Sequence, residues 1–532
     1  MRRSNSYLSS LSLCFLLFTS ACLATRSEEF DRFNQCQLDS INALEPDHRV
    51  ESEAGLTETW NPNHPELQCA GVSLIRRTID PNGLHIPSFS PSPQLIFIVQ
   101  GKGVLGLSIP GCPTTFEEQR QHFDNHQKIR RFSKGDIIAI PPGIPYWSYN
   151  NGDEPVVAIT LLDTSNFANQ LDSTPRVFYL GGNPEVEFPE TQQQQQQQKR
   201  HSLPFPGGRK GGKNQQEEQN EGNSVLSGFS SEFLAQALNT DEDTAKKLQS
   251  PRDQRAQIVR VEGGLRIISP DLQDEEDEDE DEDEQEQGHS QREEEEDDDE
   301  DESHSHESRQ KWRKYREEEK QGSHRREHKE EEEEEEEKIC KKRSCRGKGR
   351  KNGLEETICS ARIRENIIRP ARADLYNPRA GRISTVNSLT LPILSYLRLS
   401  AEYVLLYRNG INAPHWNMNA NSLMYVVRGE GKVRIVNCEG KAVFDDNVRK
   451  GQMLVVPQNF VVAEQAGNEE GFEYVVFKTN DRAAVSNVKQ VFRATPAQVL
   501  ANAFGLRQNE VTKIKFSGNR GPLVQPRSHA HA

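Results

Sequence analysis

The chain has 532 residues, 33% hydrophobic and 28% charged, with a mean hydropathy of -0.82 and a net charge of -16. That length exceeds a single core and that polarity is too high for a chain folded throughout, so folded blocks must alternate with solvated ones. Residues 353–532 carry 23 Lys+Arg against 15 Asp+Glu, a balance of +8 that leaves -24 on residues 1–352; the positive residues are spread rather than gathered into a stripe, which argues against a nucleic-acid binder.

The first segment reads as a secretory signal. Arg2 and Arg3 form its positive region, Leu11–Phe18 its apolar region and Ala21–Ala24 a small-residue cleavage site, with the cut expected between Ala24 and Thr25. No later stretch approaches the roughly 20 apolar residues that span a bilayer, so no membrane partner is expected and the mature chain should enter an oxidising compartment. Without Cys14 and Cys22, seven cysteines remain: Cys36, Cys69, Cys112, Cys340, Cys345, Cys359 and Cys438. An odd count leaves at least one without an intrachain partner.

From Val72 to Tyr179 short β-branched runs alternate with Gly and Pro, as in "QLIFIVQGKGVLGLSIPG" (94–111) and "GDIIAIPPGIPYWSY" (135–149). Residues 230–249 then carry apolar positions at helical spacing behind a serine cap. The second half repeats the order. "SLMYVVRGEGKVRIVNCEG" (422–440) and "GQMLVVPQNFVVAEQAG" (451–467) precede a helical stretch, 494–515, in which Thr495 is expected as N-cap and Pro496 as the first helical residue. "FIVQGKG" (97–103) matches "YVVRGEG" (425–431), "KGDIIAIPPG" (134–143) matches "KGQMLVVPQN" (450–459), and "LAQAL" (234–238) matches "LANAF" (500–504). Two blocks matching in the same order indicate duplication. Residues 183–223, 274–337 and the C-terminal tail break the repeat; their composition cannot offset the entropy of ordering, so all three are expected to be mobile.

These residues carry a specific likeness. A hairpin ending in Gly-x-Gly, then Gly-(x5)-Pro-x-Gly after a strand, resembles the paired motifs of the cupin superfamily. Two such blocks with "NGLEETICS" (352–360), "QCQLDSINALEPDHRVESEAG" (35–55), "PRVFYLGGNP" (175–184) and "NPRAGRISTVNSLTLPIL" (377–394) resemble the legumin-type (11S globulin) seed storage proteins.

The resemblance implies a mainly β fold of two cupin jelly-roll barrels, each followed by a small helical extension, with disordered inserts. The expected layout is a signal peptide (1–24), an acidic-chain cupin domain (25–270) holding a mobile insert (183–223), a disordered linker (271–352), a basic-chain cupin domain (353–517) and a mobile tail (518–532). It also implies cleavage between Asn352 and Gly353 by an asparaginyl endopeptidase, where the charged tract keeps the site accessible. Cys112 is then expected to pair with Cys359 across the two chains, and Cys36 with Cys69 within the acidic chain. Trimers of precursor that stack as hexamers after the cut, passage through the endoplasmic reticulum to seed protein storage vacuoles, and kinship with allergens follow in the same way. Cys340 and Cys345 are left open: they pair with each other, cross-link a neighbour or stay unpaired. Cys438 is expected as a buried free thiol.

Many cupins are metalloenzymes, with His-x-His-(x4)-Glu in the first motif and a further His after the second. Counting from the hairpin glycines places those positions at Pro87, Phe89, Gln94 and Tyr146 in the first block and at His415, Asn417, Ser422 and Val462 in the second. One of these is a histidine, whereas a mononuclear site needs three protein ligands or more. No metal, cofactor or catalytic residue is therefore expected, and His415 is read as a core or interface histidine beside Trp416. His289, His304 and His306 are read as part of a solvated polyanion rather than a Zn²⁺ or Ca²⁺ site. No phosphate loop, nucleophile elbow or His-Glu-x-x-His motif is present. The expected function is non-catalytic storage of nitrogen, carbon and amino acids for germination; the alternative is a ligand- or sugar-binding defence role without catalysis.

Overall fold

The alternation that marks strands in the sequence becomes two antiparallel barrels built to one plan. The computed structural model describes residues 36, 38–119, 122–191, 223–249, 252–265, 359, 361–516 and 521–526. In the first barrel one sheet runs in the order His48–Ser52, Gly55–Thr59, Val72–Ile79, Val156–Asp163, Gln94–Gln100, Asp136–Ile140, Arg364–Asn366. The facing sheet runs Phe178–Tyr179, Gly83–Phe89, Tyr146–Tyr149, Lys102–Leu107, Ile129–Ser133.

The second barrel repeats this arrangement. Leu375–Asn377, Gly381–Val386, Ser400–Leu406, Phe472–Lys478, Ser422–Arg428 and Met453–Val456 form one sheet. Ala442–Arg449, Glu430–Val436, Val461–Ala466, Ile411–Asn417 and Val485–Asn487 form the other. All these pairings are antiparallel, with inward side chains every second residue; Val433 and Ile435 are fully buried while Lys432 and Arg434 face out. The glycine of each hairpin is required: Gly101 and Gly429 have φ of 85° and 73°, and a Cβ on Gly429 would sit 1.9 Å from the Gly471 carbonyl oxygen.

Each barrel is followed by helices, divided differently from the expectation. Residues 230–249 form two helices, Ser231–Ala237 and Glu242–Gln249, separated by Asn239 at φ 52°. Ser230 does cap the first, accepting from the Phe233 N–H. Thr495 is not an N-cap: it closes a preceding helix, Val488–Ala494, its hydroxyl donating to the Val491 carbonyl, and the next helix begins at Ala497 after Pro496. A break at Gly505, φ 65°, separates Ala497–Phe504 from Gln508–Phe516. Leu234 and Leu500, equivalent in the repeat, are both buried.

Two segments expected to be mobile are anchored in part. Glu187 and Phe188 are buried, because the carboxylate of Glu187 meets an arginine inside the barrel and Phe188 packs on Ile75 and Leu162. In the tail, Leu523–Val524 pairs with Ile411–Asn417 and Leu523 is buried in the second core. The tracts at 192–222, 274–337 and 527–532 lie outside the described residues.

The chain divides into two units, one holding both barrels and their helices. The other spans Pro110–Pro113 and Ser269–Ser360; its described residues are 110–113 and Cys359, joined by the Cys112–Cys359 disulfide with Cα atoms 5.4 Å apart.

Candidate functional site

The barrel interior is the enclosed space in which chemistry could occur, so the side chains that line it decide what each barrel can do. In the first barrel Arg77 lies on the inward face of Val72–Ile79, between Ile75 and Ile79. Its guanidinium donates to Glu187 Oε1 at 2.9 Å and to the Tyr146 hydroxyl at 3.3 Å, and Tyr146 donates in turn to Gln94 Oε1 at 3.3 Å. Tyr179 also donates to Glu187 Oε1. Burial opposes the charge on Arg77, but Glu187, Tyr146 and Tyr179 together outweigh it and keep the guanidinium protonated. Burial, reinforced by Glu187, likewise pushes both phenols up, so they remain donors.

His85 sits beside Tyr146, with ring centroids 5.5 Å apart, and neither ring nitrogen has a protein partner. Desolvation, then the Arg77 charge, drives it well below the ordinary imidazole range, so it is neutral. The cavity lined by Arg77, His85, Tyr146 and Ser148 measures about 30 Å³. That is room for about one water. Of the four counted ligand positions, Gln94 and Tyr146 meet through their hydrogen bond. Pro87 uses its carbonyl to accept from the Leu180 N–H, and Phe89 stacks on Phe178 at 5.2 Å.

In the second barrel the counted positions also come together. His415 stands opposite Val462 across the strands, and Asn417 Nδ2 donates to Ser422 Oγ at 2.5 Å. His415 is buried, as a core histidine should be, and its Nδ1–H donates to the Ala413 carbonyl at 3.0 Å. Behind it lies a polar group that sequence reasoning missed: Glu464, Glu402, Lys478, Tyr474 and Asn412. Lys478 Nζ pairs with Glu402 at 2.7 Å. Glu464 Oε2 is 3.9 Å from His415 Nδ1, yet desolvation drives both toward their neutral forms, with Glu402 reinforcing the effect on Glu464, whose carboxyl is pushed up to about 8. Among the described residues no cluster of three or more His, Cys, Asp or Glu could hold a metal ion.

The buried carboxyl makes a pH prediction. Folded Glu464 holds its proton from pH 4.5 to about 8, where the unfolded chain has released it. Its contribution to stability is therefore complete below pH 4.5 and is lost as pH rises toward 8, by up to about 1.4 kcal/mol per pH unit. His85 and His415 act with the opposite sign, being neutral when folded, so their contribution is lost as pH falls below 6.5. Glu464→Gln is expected to raise stability at pH 8 and leave it nearly unchanged at pH 4.5, as read by urea unfolding at both values. Equal shifts at the two would refute this protonation state.

Cys36 and Cys69 form a disulfide with Cα atoms 4.6 Å apart. Cys438 is free but exposed, which corrects the expectation of burial. Strand Glu430–Val436 ends just before it, and the Asn437 side chain, accepting from the Glu439 and Lys441 N–H groups, shapes a turn that holds the thiol outward. Ala24, Thr25, Cys340, Cys345, Asn352, Gly353 and the histidines at 289, 304 and 306 lie outside the described residues. Among the described residues no helix is long and apolar enough to cross a membrane.

The barrels match a cupin family model at residues 41–185 and 365–512, one match to each. Legumin J of Pisum sativum is 72% identical across 99% of this chain and all of its own, and a type B legumin of Vicia faba is 68% identical over the same shares. The crystal structure of the coconut allergen cocosin superposes with a TM-score of 0.68 at 37% identity, covering 92% of this chain and 100% of cocosin. The duplicated barrels, each with an apolar core and a buried ion pair, and these full-length likenesses agree: the chain is a two-barrel cupin and belongs to the legumin-type 11S globulins, a non-catalytic class.

Proposed function

We propose that the protein is a seed storage globulin, a reserve of nitrogen, carbon and amino acids for germination, made as a precursor and cut between Asn352 and Gly353. The observation that carries this reading is the fate of the cupin frame. Both barrels retain their geometry while ion pairs stand in their interiors, Arg77 with Glu187 and the Tyr146 hydroxyl in the first and Lys478 with Glu402 in the second. What such barrels offer is durable, dense packing of chain, and the sequence adds Gln-, Glu- and Arg-rich tracts around them.

The cut, by an asparaginyl endopeptidase, yields an acidic and a basic chain that Cys112–Cys359 ties together. Assembly into trimers and then hexamers draws support from the helical extensions. Phe229, Phe233 and Leu238 are exposed in the first, and Val499, Phe504, Ile514 and Phe516 in the second. Apolar surface at corresponding places on a duplicated chain suits head-to-tail contacts that close into a ring. Delivery through the endoplasmic reticulum to storage vacuoles belongs to the same reading. The alternative of a ligand- or sugar-binding defence role finds only about 30 Å³ around His85 and Tyr146, whereas a cleft of about 290 Å³ opens beside Tyr179, Glu187 and Phe188.

The test is a denaturing gel of protein from the source tissue, with and without reductant. One large band should resolve on reduction into an acidic piece and a smaller basic piece, and N-terminal sequencing of the latter should begin at Gly353. A full-length band unchanged by reductant would overturn the reading.

A further inference from the structure

The two barrels present the same sheet edge, and each edge is covered by chain from the opposite half. In the first barrel the edge strand is Asp136–Ile140. Arg364–Asn366 adds to it antiparallel, with Glu365 opposite Ile137. The Ala139 N–H donates to the Ile363 carbonyl at 2.8 Å, and the Ile367 N–H to that of Gly135 at 2.9 Å. In the second barrel the corresponding strand is Met453–Val456. There Leu44 stands opposite Met453, and the two exchange both backbone hydrogen bonds, at 2.8 and 2.9 Å.

The repeat aligns Gly135-Asp136-Ile137 with Gly451-Gln452-Met453. Glu365 and Leu44 therefore occupy the same register position on equivalent strands. The side chains follow: Ile363 and Ile367 are buried on the first barrel, and Asn366 Nδ2 donates to Asp136 Oδ1 at 2.9 Å. Leu38 and Ile41 belong to the core of the second barrel, beside Val443 and Leu454.

We propose that the acidic and basic chains are locked together by reciprocal donation of these two segments, and that the bond governing the lock is Cys36–Cys69, inside the acidic chain, rather than Cys112–Cys359 between the chains. Each donated segment supplies backbone pairing to an edge that would otherwise be open, and apolar side chains to a core that would otherwise be incomplete. Separating the chains breaks both at once. The segment from Cys36 to Leu44 is held on the acidic side at Cys69 and by Asn42, whose backbone N–H and Nδ2 both donate to Glu66 Oε1 at 2.9 and 3.0 Å. Without the disulfide that segment keeps only its hydrogen bonds to Glu66 and Trp60, so more of it must be ordered anew each time it docks.

This inference rests on the cut at Asn352, and its test keeps the two apart. A reducing denaturing gel first shows whether the chain is cut. If it is not, the same measurements are made on a variant nicked at a site-specific protease sequence replacing residues 350–353. In cut C112S/C359S protein the two chains are expected to co-elute one to one on native sizing. Adding C36S and C69S to that background should speed exchange of isotope-labelled acidic chain, read by mass spectrometry, at least about tenfold. Ile41→Ala in the same background, which leaves every remaining disulfide in place, should do the same. Separate elution of the C112S/C359S chains, or exchange unmoved by these changes, overturns the proposal.

Discussion

Arg77→Met is expected to destabilise the first barrel by about 3–5 kcal/mol, because it leaves the Glu187 carboxylate buried without its counter-charge. The magnitude follows from the surroundings. Glu187 and Arg77 are 2% and 5% exposed in their side chains, so water cannot replace the lost partner. Tyr179 still donates to Oε1, but Oε2 has no partner even in the native barrel. One phenol cannot neutralise the charge. Arg77→Met/Glu187→Met removes both ions and keeps comparable volume, so it should recover most of the loss. Urea unfolding of wild type, both single variants and the double variant closes the cycle. A loss below about 1 kcal/mol for the single variant would mean that the pair is not held as ions.

The pair also marks the limit of what could be read from sequence. Duplication, strands and hairpin glycines were all legible, since they depend on period-two patterning and on glycines that no other residue can replace. The counted cupin positions were legible too: Gln94 with Tyr146, His415 with Val462 and Asn417 with Ser422 do face one another. Arg77 was readable in principle, lying at even spacing between Ile75 and Ile79, but a strand containing Arg76-Arg77 suggests two solvated cations. Only the long-range approach of Glu187, 110 residues away, makes one of them an interior residue.

Glu464 was hidden similarly. "VVAEQA" alternates like any half-exposed strand, and its partners Glu402 and Lys478 come from distant strands of the same barrel. Helix breaks at Asn239 and Gly505 depend on single residues in the left-handed region, which a helical period averages over. The edge pairings by Leu44 and Glu365 carried no signal, because their strands are too short to show a period.

Trp60→Ala is expected to cost about 3–5 kcal/mol, by loss of the largest fully buried side chain among the described residues, and to weaken the seam between the two halves of the chain. The indole Nε1–H donates to the Leu44 carbonyl at 3.2 Å, and Leu44 is the residue that bridges to Met453. The indole and the Tyr425 ring are T-shaped, with centroids 6.2 Å and planes 87° apart, and the Arg76 guanidinium lies 6.0 Å from the indole centroid. Arg76 is itself fixed by two bonds to Glu58, at 2.7 and 2.8 Å, and by one to the Tyr425 hydroxyl at 3.2 Å. Trp60 thus orders an acidic-half segment, a basic-half tyrosine and the arginine between them. Trp60→Phe separates packing from hydrogen bonding: it keeps an aromatic ring and removes the donor to Leu44, so about 1–2 kcal/mol should be lost. Denaturant unfolding gives the two costs, and near-ultraviolet dichroism reports whether the tyrosine loses its fixed setting. If alanine and phenylalanine cost the same, the hydrogen bond to Leu44 and not the buried ring holds the seam; if neither exceeds about 1 kcal/mol, the halves are joined elsewhere.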